Sequence, residues 1–365
     1  MMKGLMVWVS VLAVAILLAV TACGGEATPA PAPAATAAPA ATAAPAAAPA
    51  KTYEFQFAHF ATPEKGPRWQ MALRWSELVE EETDGQVKIE VFPANQLVKV
   101  SETVTALGQG ALDGAFHPDA YLVGIEPASE WGLMPGLTLP QDYYDIYYDL
   151  GLLDLLNSTY MENGIYSSGF YSPGSVDIVV HSKKHVMTPD DLKGKKMRMW
   201  GGTWAQVFKE IGTGLVTMPS AEAYIAMQRG TVEGAGSAMA AAYGLKWMEV
   251  APYWSYFAEG GLGGPYSVHA LFSQRAWGSL SSNLQQGVLS ASQKLIPLAA
   301  KARADWDAGL VDLATSEGAD IKVPDPKPWV EQVGPLAKRL YLERGGDMAG
   351  KIWADVEAWH EKTGR

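Results

Sequence analysis

Cysteine is almost absent from this sequence, and its absence removes several structural options. Cys23 is the single cysteine among 365 residues. One thiol can form neither an intramolecular disulfide nor a cysteine-cluster metal site. The six histidines are scattered along the chain rather than clustered. We therefore expect no transition-metal site, and the sequence gives no reason to expect a cofactor.

Positive charge is also scarce. The chain has 28 Lys and Arg against 39 Asp and Glu, and its formal net charge is −11. An acidic chain of this kind is a poor match for nucleic acid. The sequence also lacks the H-E-x-x-H, G-x-S-x-G and P-loop patterns of common catalytic sites. We expect a binding protein rather than an enzyme.

One enzymatic alternative stays open. An extracytoplasmic hydrolase could use Asp119 or Glu259 together with a histidine, although no residue spacing supports it. Turnover of a candidate ligand would favour this alternative, whereas reversible binding without turnover would favour a binding protein.

A long apolar run occurs only at the N-terminus. Lys3 precedes an apolar stretch, Met6–Val20, that is too short for a comfortable membrane span. The stretch leads into V-T-A-C, which ends at Cys23 and resembles a bacterial lipoprotein signal. The pattern predicts a signal peptide at 1–22, a lipidated Cys23 and an extracytoplasmic protein anchored to the membrane by lipid. A transmembrane anchor and an ordinary signal peptide are the alternatives.

The folded part of the chain is predicted to start at Tyr53. Residues 23–52 are rich in Ala and Pro and carry no hydrophobic pattern, which predicts a disordered tether. Tyr53–Ala58 and Val87–Phe92 alternate as strands, and Arg68–Glu82 between them has a helical apolar face. The alternation continues and predicts an α/β fold with mainly parallel sheets and helices on both faces.

The chain is predicted to cross between two lobes more than once. A turn at 172–174 suits an outward crossing, and the glycine-rich stretch 259–264 suits the return. Long helices follow, with a break expected near Pro297. Two lobes joined in this way predict a hinge that closes on a ligand. The first lobe takes 53–172 plus about 264–300, and the second takes 173–263 plus about 301–365.

The most informative stretch reads D-L-K-G-K-K-M-R-M-W-G-G and ends at Gly202. Lys195–Trp200 alternates as a strand, and Gly201 and Gly202 then open a helix. A strand that ends in Arg198, followed by glycines at a helix N-terminus, places a guanidinium and bare backbone N–H groups around one point. That arrangement suits a carboxylate.

This stretch carries a family resemblance. The pattern D-L-K-G-x-K-x-R, followed by M-P-x-x-E-x-Y-x-A-M-Q-x-G-x-V-x-G, resembles the solute-binding proteins of TRAP transporters, the DctP family. The similarity runs from Tyr53 to the C-terminus and is strongest over Asp190–Val250. It implies a two-lobe fold of the type II periplasmic-binding kind, with a hinge and long bracing helices. It also implies that Arg198 falls on the arginine that holds the solute carboxylate.

The resemblance implies a function as well. Such a protein captures an organic acid between its lobes and delivers it to a membrane permease. A ligand-sensing module that serves a membrane receptor is the alternative, because sensors share the fold. No nucleic-acid partner is expected.

Candidate ligand contacts follow from the rule that ligands bind outside the carboxyl ends of strands. The rule selects His59 with Phe60, the segment 117–119, Tyr171 and the loop after Arg198. A single histidine is more often a structural residue than a ligand contact. The full candidate set is Arg198, Trp200, Gly201, Gly202, Ser237, Tyr171, His59, Phe60, His117, Asp119 and Glu259.

The sequence departs from the family pattern at two places, and both bear on the ligand. Ser237 stands where the pattern usually carries Asn. Tyr171 stands where some relatives place a second arginine. These departures predict a monocarboxylate or a partly apolar acid rather than a dicarboxylate or a sugar acid.

Overall fold

The computed structural model describes residues 51–63, 65–257 and 262–365. The predicted signal peptide, the lipidated Cys23, nearly all of the predicted tether and Glu259 lie outside the described residues. The strands are, in chain order, β1 (Tyr53–His59), β2 (Val87–Phe92), β3 (Gly114–Pro118), β4 (Ile165–Ser175), β5 (Ile178–His181), β6 (Lys196–Met199), β7 (Gly214–Thr217), β8 (Gly234–Ser237), β9 (Tyr253–Tyr256), β10 (Pro265–Ser273) and β11 (Asp320–Lys322).

The strands form two sheets. The first has five strands in the order β2-β1-β3-β10-β4, and the second has six in the order β11-β9-β5-β8-β6-β7. In the first sheet β1 runs parallel to β2 and β3, while β10 runs antiparallel to β3 and β4. In the second, β5 is antiparallel to β8 and β9, and the other pairs are parallel. The α/β class is therefore confirmed.

Both sheets are mixed, so the expectation of mainly parallel sheets is wrong. The antiparallel pairs involve β4 and β10 in the first sheet and β5 and β9 in the second. β4 and β5 flank the first passage of the chain between the sheets and β9 and β10 the second, while a third passage lies between β10 and β11. β4 also runs on to Ser175, through the predicted turn at 172–174, because its end stays paired with the start of β10.

The helices cover the sheets and connect them. None of the helices in the described part of the chain has the length and apolar character needed to cross a bilayer. The helices are α1 (Pro67–Glu82), α2 (Thr103–Gly108), α3 (Tyr143–Asp149), α4 (Leu152–Glu162), α5 (Gly202–Ile211), α6 (Ser220–Gln228), α7 (Met239–Gly244), α8 (Gln274–Ser279), α9 (Ser282–Ser316) and α10 (Pro326–Thr363). Short 3-10 helices lie at Asp119–Tyr121, Pro127–Leu133, Pro189–Leu192 and Trp247–Glu249.

The two long helical segments are α9 and α10, and α10 is kinked at Gly346, whose φ of +53° and ψ of −137° are not helical. α9 continues through Pro297, so the break predicted there is wrong; the chain breaks earlier, between α8 and α9. Proline removes one backbone donor but need not end a helix that is packed along its length. α9 contacts α1 and β4 and later reaches α7 and β11, so it touches elements of both sheets. α10 packs on α5 and on the 3-10 helix Pro127–Leu133.

The first sheet is organised around an aromatic core. Phe57 on β1 is fully buried, and its ring lies 5.7 Å from that of Trp75 and 4.9 Å from that of Phe272. A Cβ atom at position 114 would come within 2.1 Å of the Phe57 ring, so only glycine fits there. A second cluster, which includes Trp247 and Trp254, packs on the second sheet.

Phe57→Ala is expected to lower the free energy of unfolding by about 3–5 kcal/mol, because it empties the centre of this aromatic cluster. Phe57→Leu fills most of the space and should cost about 1.5 kcal/mol or less. Urea unfolding of both variants measures the difference. Equal, small losses for the two variants would show that the cluster tolerates a cavity and does not organise the sheet.

Candidate functional site

A small cavity opens among residues on elements of both sheets. Phe60 follows β1, Pro118 ends β3, Trp200 follows β6 and Ser237 ends β8, so the carboxyl ends of four strands meet there. This is the place that the strand-end rule predicts. The lining residues are Phe60, Arg68, Pro118, Ala120, Tyr121, Leu133, Val176, Arg198, Trp200, Ser220, Ser237, Ala238, Ala241 and Tyr266.

Arg198 is the most strongly constrained side chain of the cavity. It is almost fully buried on β6. Its Nε donates to the Met218 carbonyl at 2.8 Å, and its Nη1 donates to the Gly236 carbonyl at 3.1 Å. Its Nη2 is buried and has no hydrogen-bond partner among the described residues. A guanidinium has five N–H donors, so three remain beyond the bonds to Met218 and Gly236, and the Tyr121 hydroxyl lies next to them.

Within the described part of the chain, an aromatic ring rather than an ion-pair partner lies beside Arg198. The guanidinium carbon lies 5.8 Å from the centre of the Trp247 ring. Burial lowers the pKa of Arg198, and the neighbouring Tyr121 hydroxyl and the more distant Glu222 offset part of that effect. Arg198 forms no salt bridge within the described ranges. A buried cation without a counter-charge favours binding of an anion.

Three further candidates line the cavity with Arg198. Trp200 and Phe60 present partly buried aromatic rings, and Ser237 is a small buried polar residue at the end of β8. The apolar members, such as Val176, Ala241 and Leu133, outnumber the polar ones. The cavity can therefore hold an anionic group at Arg198 and an apolar body beside it.

Gly201 and Gly202 do not line the cavity. The expectation of bare backbone N–H groups at the start of α5 is wrong at Thr203, whose N–H donates to Glu130 Oε2 at 2.7 Å. A Cβ atom on Gly202 would lie 1.9 Å from Glu130 Oε1. A carboxylate does occupy this helix N-terminus, but it is the protein's own.

His59 and Tyr171 lie in the core and are not among the lining residues. The Tyr171 hydroxyl donates to the Arg68 carbonyl at 2.8 Å, and His59 Nε2 lies 3.1 Å from the same carbonyl. His59 Nδ1 accepts from the N–H of Ala61. Burial lowers the pKa of His59 to about 3. His59 is a neutral structural residue here.

His117 and Asp119 are fully buried, and neither lines the cavity. Asp119 Oδ2 accepts from the N–H and the hydroxyl of Ser267, at 2.9 and 3.0 Å. Ser267 Oγ is also hydrogen-bonded to His269 Nε2 at 2.9 Å. Burial lowers the pKa of His117 to about 3 and raises that of Asp119 to about 7. This chain of polar groups is closed to the cavity, so the geometry gives the hydrolase alternative no support.

The described residues offer no metal site, and they do not include Glu259. Among residues 51–63, 65–257 and 262–365, no group of three or more His, Cys, Asp or Glu side chains could hold a metal ion. Glu259 lies outside the described residues, so its place relative to the cavity is untested.

Residues 57–344 match the family described as bacterial extracellular solute-binding protein, family 7, which is DctP. The chain belongs to this family. A solute-binding protein of Albidiferax ferrireducens is 30% identical over 174 residues, which are 47% of this chain and 51% of that protein. The chain thus matches about half the length of that DctP-family relative.

Solved structures show the same fold. A TRAP periplasmic solute-binding protein from Desulfovibrio salexigens with bound orotic acid has a TM-score of 0.77 and 21% identity, covering 85% of this chain and 99% of that one. A second, from Sulfitobacter sp. NAS-14.1 with bound β-D-galacturonate, has a TM-score of 0.74 and 21% identity, covering 83% and 99%. The two-sheet α/β architecture of this DctP-family chain is therefore that of TRAP solute-binding proteins.

Several residues that line the cavity were not predicted from the sequence. Arg68, near the start of α1, brings a second guanidinium to the cavity, and it lies 5.8 Å from the Phe60 ring centre. A second arginine thus lines the cavity although Tyr171 stands where some relatives place theirs. Tyr121 and Ser220 also line the cavity, and the Ser220 N–H donates to the Tyr121 hydroxyl at 3.3 Å. The sequence feature that could have indicated Arg68 is its position beside Pro67, at the start of the helix that follows β1 and its loop.

Gly202→Ala is expected to lower the free energy of unfolding by about 2–4 kcal/mol. It combines a positive φ of +61° with a clash against Glu130. Gly201→Ala is the matched control: its φ is +132°, but its nearest neighbour lies 3.7 Å away. It should cost about 1–2 kcal/mol.

A double-mutant cycle in urea then separates strain from clash. Glu130→Ala should recover part of the loss caused by Gly202→Ala and none of that caused by Gly201→Ala. Additive losses for Gly202→Ala and Glu130→Ala would contradict the contact.

Proposed function

We propose that this chain captures an organic acid and delivers it to a TRAP-type membrane permease. One observation carries the proposal: Arg198 is buried at the cavity, is held by two backbone carbonyls and keeps unpaired N–H groups. Membership in a family of extracellular solute-binding proteins supports it. A charge-assisted pair with a carboxylate satisfies those donors and compensates the buried charge.

The geometry favours one orientation of the carboxylate. Nε of Arg198 is already used by Met218, so a side-on pair through Nε is excluded. Nη1 keeps one hydrogen and Nη2 keeps two, and our proposal has them form an end-on pair with two parallel hydrogen bonds to the carboxylate. We place the body of the acid against Trp200 and Phe60, with Ser237 as a further hydrogen-bonding group.

The proposal includes two lobes that close on the acid. We assign 53–172 plus about 264–300 to one lobe and 173–263 plus about 301–365 to the other. The two sheets support this division, because β1–β3, β10 and most of β4 fall in the first set and the remaining strands fall in the second. The Ser220–Tyr121 hydrogen bond would then join the lobes across the cavity.

We also propose that the protein is extracytoplasmic and anchored through a lipid on Cys23. The V-T-A-C sequence that ends at this cysteine supports the proposal. A tether over 23–52 would then give the folded part reach from the membrane surface.

The finer proposal is that the acid carries one carboxylate and a partly apolar body. The lining supports it, since Val176, Ala238, Ala241 and Leu133 offer no partners for many hydroxyl groups. Arg68 supports a second candidate, an acid with two anionic groups. Arg68 already has partners within the chain, so we favour the first.

Arg198→Ala is expected to weaken binding of a carboxylic acid by about 1.5–3 kcal/mol, which is roughly a 10- to 150-fold rise in Kd. Arg198→Lys keeps the charge but cannot form two parallel hydrogen bonds, so it should recover only part of the loss. Isothermal titration calorimetry measures both variants. Arg275→Ala, an exposed arginine paired with Asp113, is the control. An unchanged Kd for Arg198→Ala would refute the assignment.

A small panel of acids tests the ligand class. We expect benzoate or pyruvate to raise the melting temperature of the protein more than succinate or galacturonate does, because one anchor and an apolar wall suit them. If succinate gives the largest shift, the single-carboxylate proposal fails. Arg68→Gln should then reduce the succinate shift selectively.

A further inference from the structure

Glu130 is a buried carboxyl directly behind the cavity wall. It lies in the 3-10 helix Pro127–Leu133, is fully buried and is not among the residues that line the cavity. Oε2 accepts the N–H of Thr203 at the start of α5. Oε1 has no hydrogen-bond partner in the described part of the chain. The close approach at Gly202 is what allows the carboxyl to sit there.

Two other polar groups next to this carboxyl are buried and unpartnered. They are the indole N–H of Trp200 and the hydroxyl of Thr203, and neither has a hydrogen-bond partner within the described ranges. Both are close enough to lower the pKa of Glu130. One carboxylate oxygen without a donor therefore lies near two donors without an acceptor. A small rotation of the Trp200 indole would let its N–H donate to Glu130 Oε1, which would give each of these two groups a partner.

Charged and titratable groups face Glu130 from the other elements packed around it. Arg344 on α10 lowers the pKa of Glu130, and Tyr341 on α10 has its own pKa raised partly by Glu130. Asp119, in the 3-10 helix after β3, likewise has its pKa raised partly by Glu130. Burial is the largest influence on Glu130 and raises its pKa to about 7. Its charge therefore changes within the neutral range.

We propose that Glu130 is a positioning residue of the ligand cavity, which orients the Trp200 indole and fixes the N-terminus of α5 according to its own ionisation. An ionised carboxylate offers acceptors to Thr203 and Trp200 together, through strong charge-assisted hydrogen bonds. A protonated one has a hydroxyl at one oxygen and holds the indole less firmly. Trp200 lies two residues after Arg198 and forms part of the cavity wall.

The role of Glu130 depends on the proposed function only where it predicts a change in affinity for an acid. If Glu130 positions Trp200, affinity for an acid rises as pH increases through 7, because the wall becomes ordered. If Glu130 acted only through its charge, affinity would fall over the same range, because a second negative charge appears near an anionic ligand. Whether affinity rises or falls with pH therefore distinguishes a positioning role of Glu130 from a purely electrostatic one.

The first test needs no ligand. The indole ¹⁵N–¹H signal of Trp200, assigned by its loss in Trp200→Phe, is followed from pH 5.5 to 8.5. We expect it to titrate with a midpoint of about 7 in the native protein and to stay constant in Glu130→Gln. Glu126→Gln is the control, because the Glu126 carboxyl accepts from Ala128 and Thr159 instead. A Trp200 signal that does not titrate, or that titrates equally in Glu130→Gln, overturns the proposal.

The second test measures the pH dependence of stability. The folded carboxyl keeps its proton up to about pH 7, whereas the unfolded one ionises near its ordinary pKa, so the unfolded state binds fewer protons in between. The native protein should therefore lose stability relative to Glu130→Gln as pH rises from 5 to 7. A melting-temperature difference between the two that stays constant with pH would contradict the raised pKa.

The third test uses whichever of benzoate, pyruvate, succinate and galacturonate binds most tightly. Its Kd should fall at least threefold between pH 6 and pH 8 in the native protein and change less than that in Glu130→Gln. A Kd that rises with pH overturns the positioning role. If none of the four binds, the proposed function is in doubt, whereas the indole titration still decides the role of Glu130.

Discussion

A buried guanidinium that forms no salt bridge with any described residue sets the main constraint on this structure. Arg198 on β6 is held by the Met218 carbonyl, just before α6, and by the Gly236 carbonyl on β8. A buried charge is costly unless hydrogen bonds and neighbouring dipoles compensate it. The Met218 and Gly236 carbonyls must therefore stay within hydrogen-bond distance of the Arg198 guanidinium for the buried charge to be tolerated. Arg198 also lines the cavity, where our proposal has an acid complete the compensation.

This constraint gives physical meaning to the sequence pattern that first drew attention. D-L-K-G-x-K-x-R ends at Arg198, M-P-x-x-E starts at Met218, and Gly236 follows V-x-G by two residues. Two residues of the pattern, Arg198 and Met218, thus meet in the fold, and Gly236 lies on β8 just beyond the end of the pattern. Along the chain, α5 and β7 separate Arg198 from Met218, and α6 and the start of β8 separate Met218 from Gly236.

The sequence predicted the positions of elements better than the direction of side chains. β1, α1, β2 and the cavity at the strand ends follow from apolar periodicity and from the strand-end rule. At the end of β3, however, Pro118 lines the cavity whereas His117 does not, since successive residues of a strand point to opposite faces. Asp119 lies in the 3-10 helix that follows and does not line the cavity either. Asp119 finds its partner in Ser267, far along the chain. No local pattern indicates such a pair.

The start of α5 shows the same limit in another form. Local chemistry correctly indicates that a carboxylate suits this helix N-terminus. It cannot indicate that Glu130, 73 residues before Thr203, already supplies one. Arg68 was missed for a related reason: a basic residue in the first turn of a helix looks solvent-exposed until the opposite wall of the cavity is known.

The charge distribution reconciles an acidic chain with capture of an acid. The net charge is −11, yet Arg68 and Arg198 both line the cavity. At physiological salt, exposed charges are screened beyond about 8 Å, so the local guanidinium groups decide the interaction. The buried carboxyls behind the wall, Asp119 and Glu130, have pKa values raised to about 7 and are therefore only partly ionised at neutral pH. Burial thus limits their opposition to an anionic ligand, while the acidic surface discourages association with polyanions.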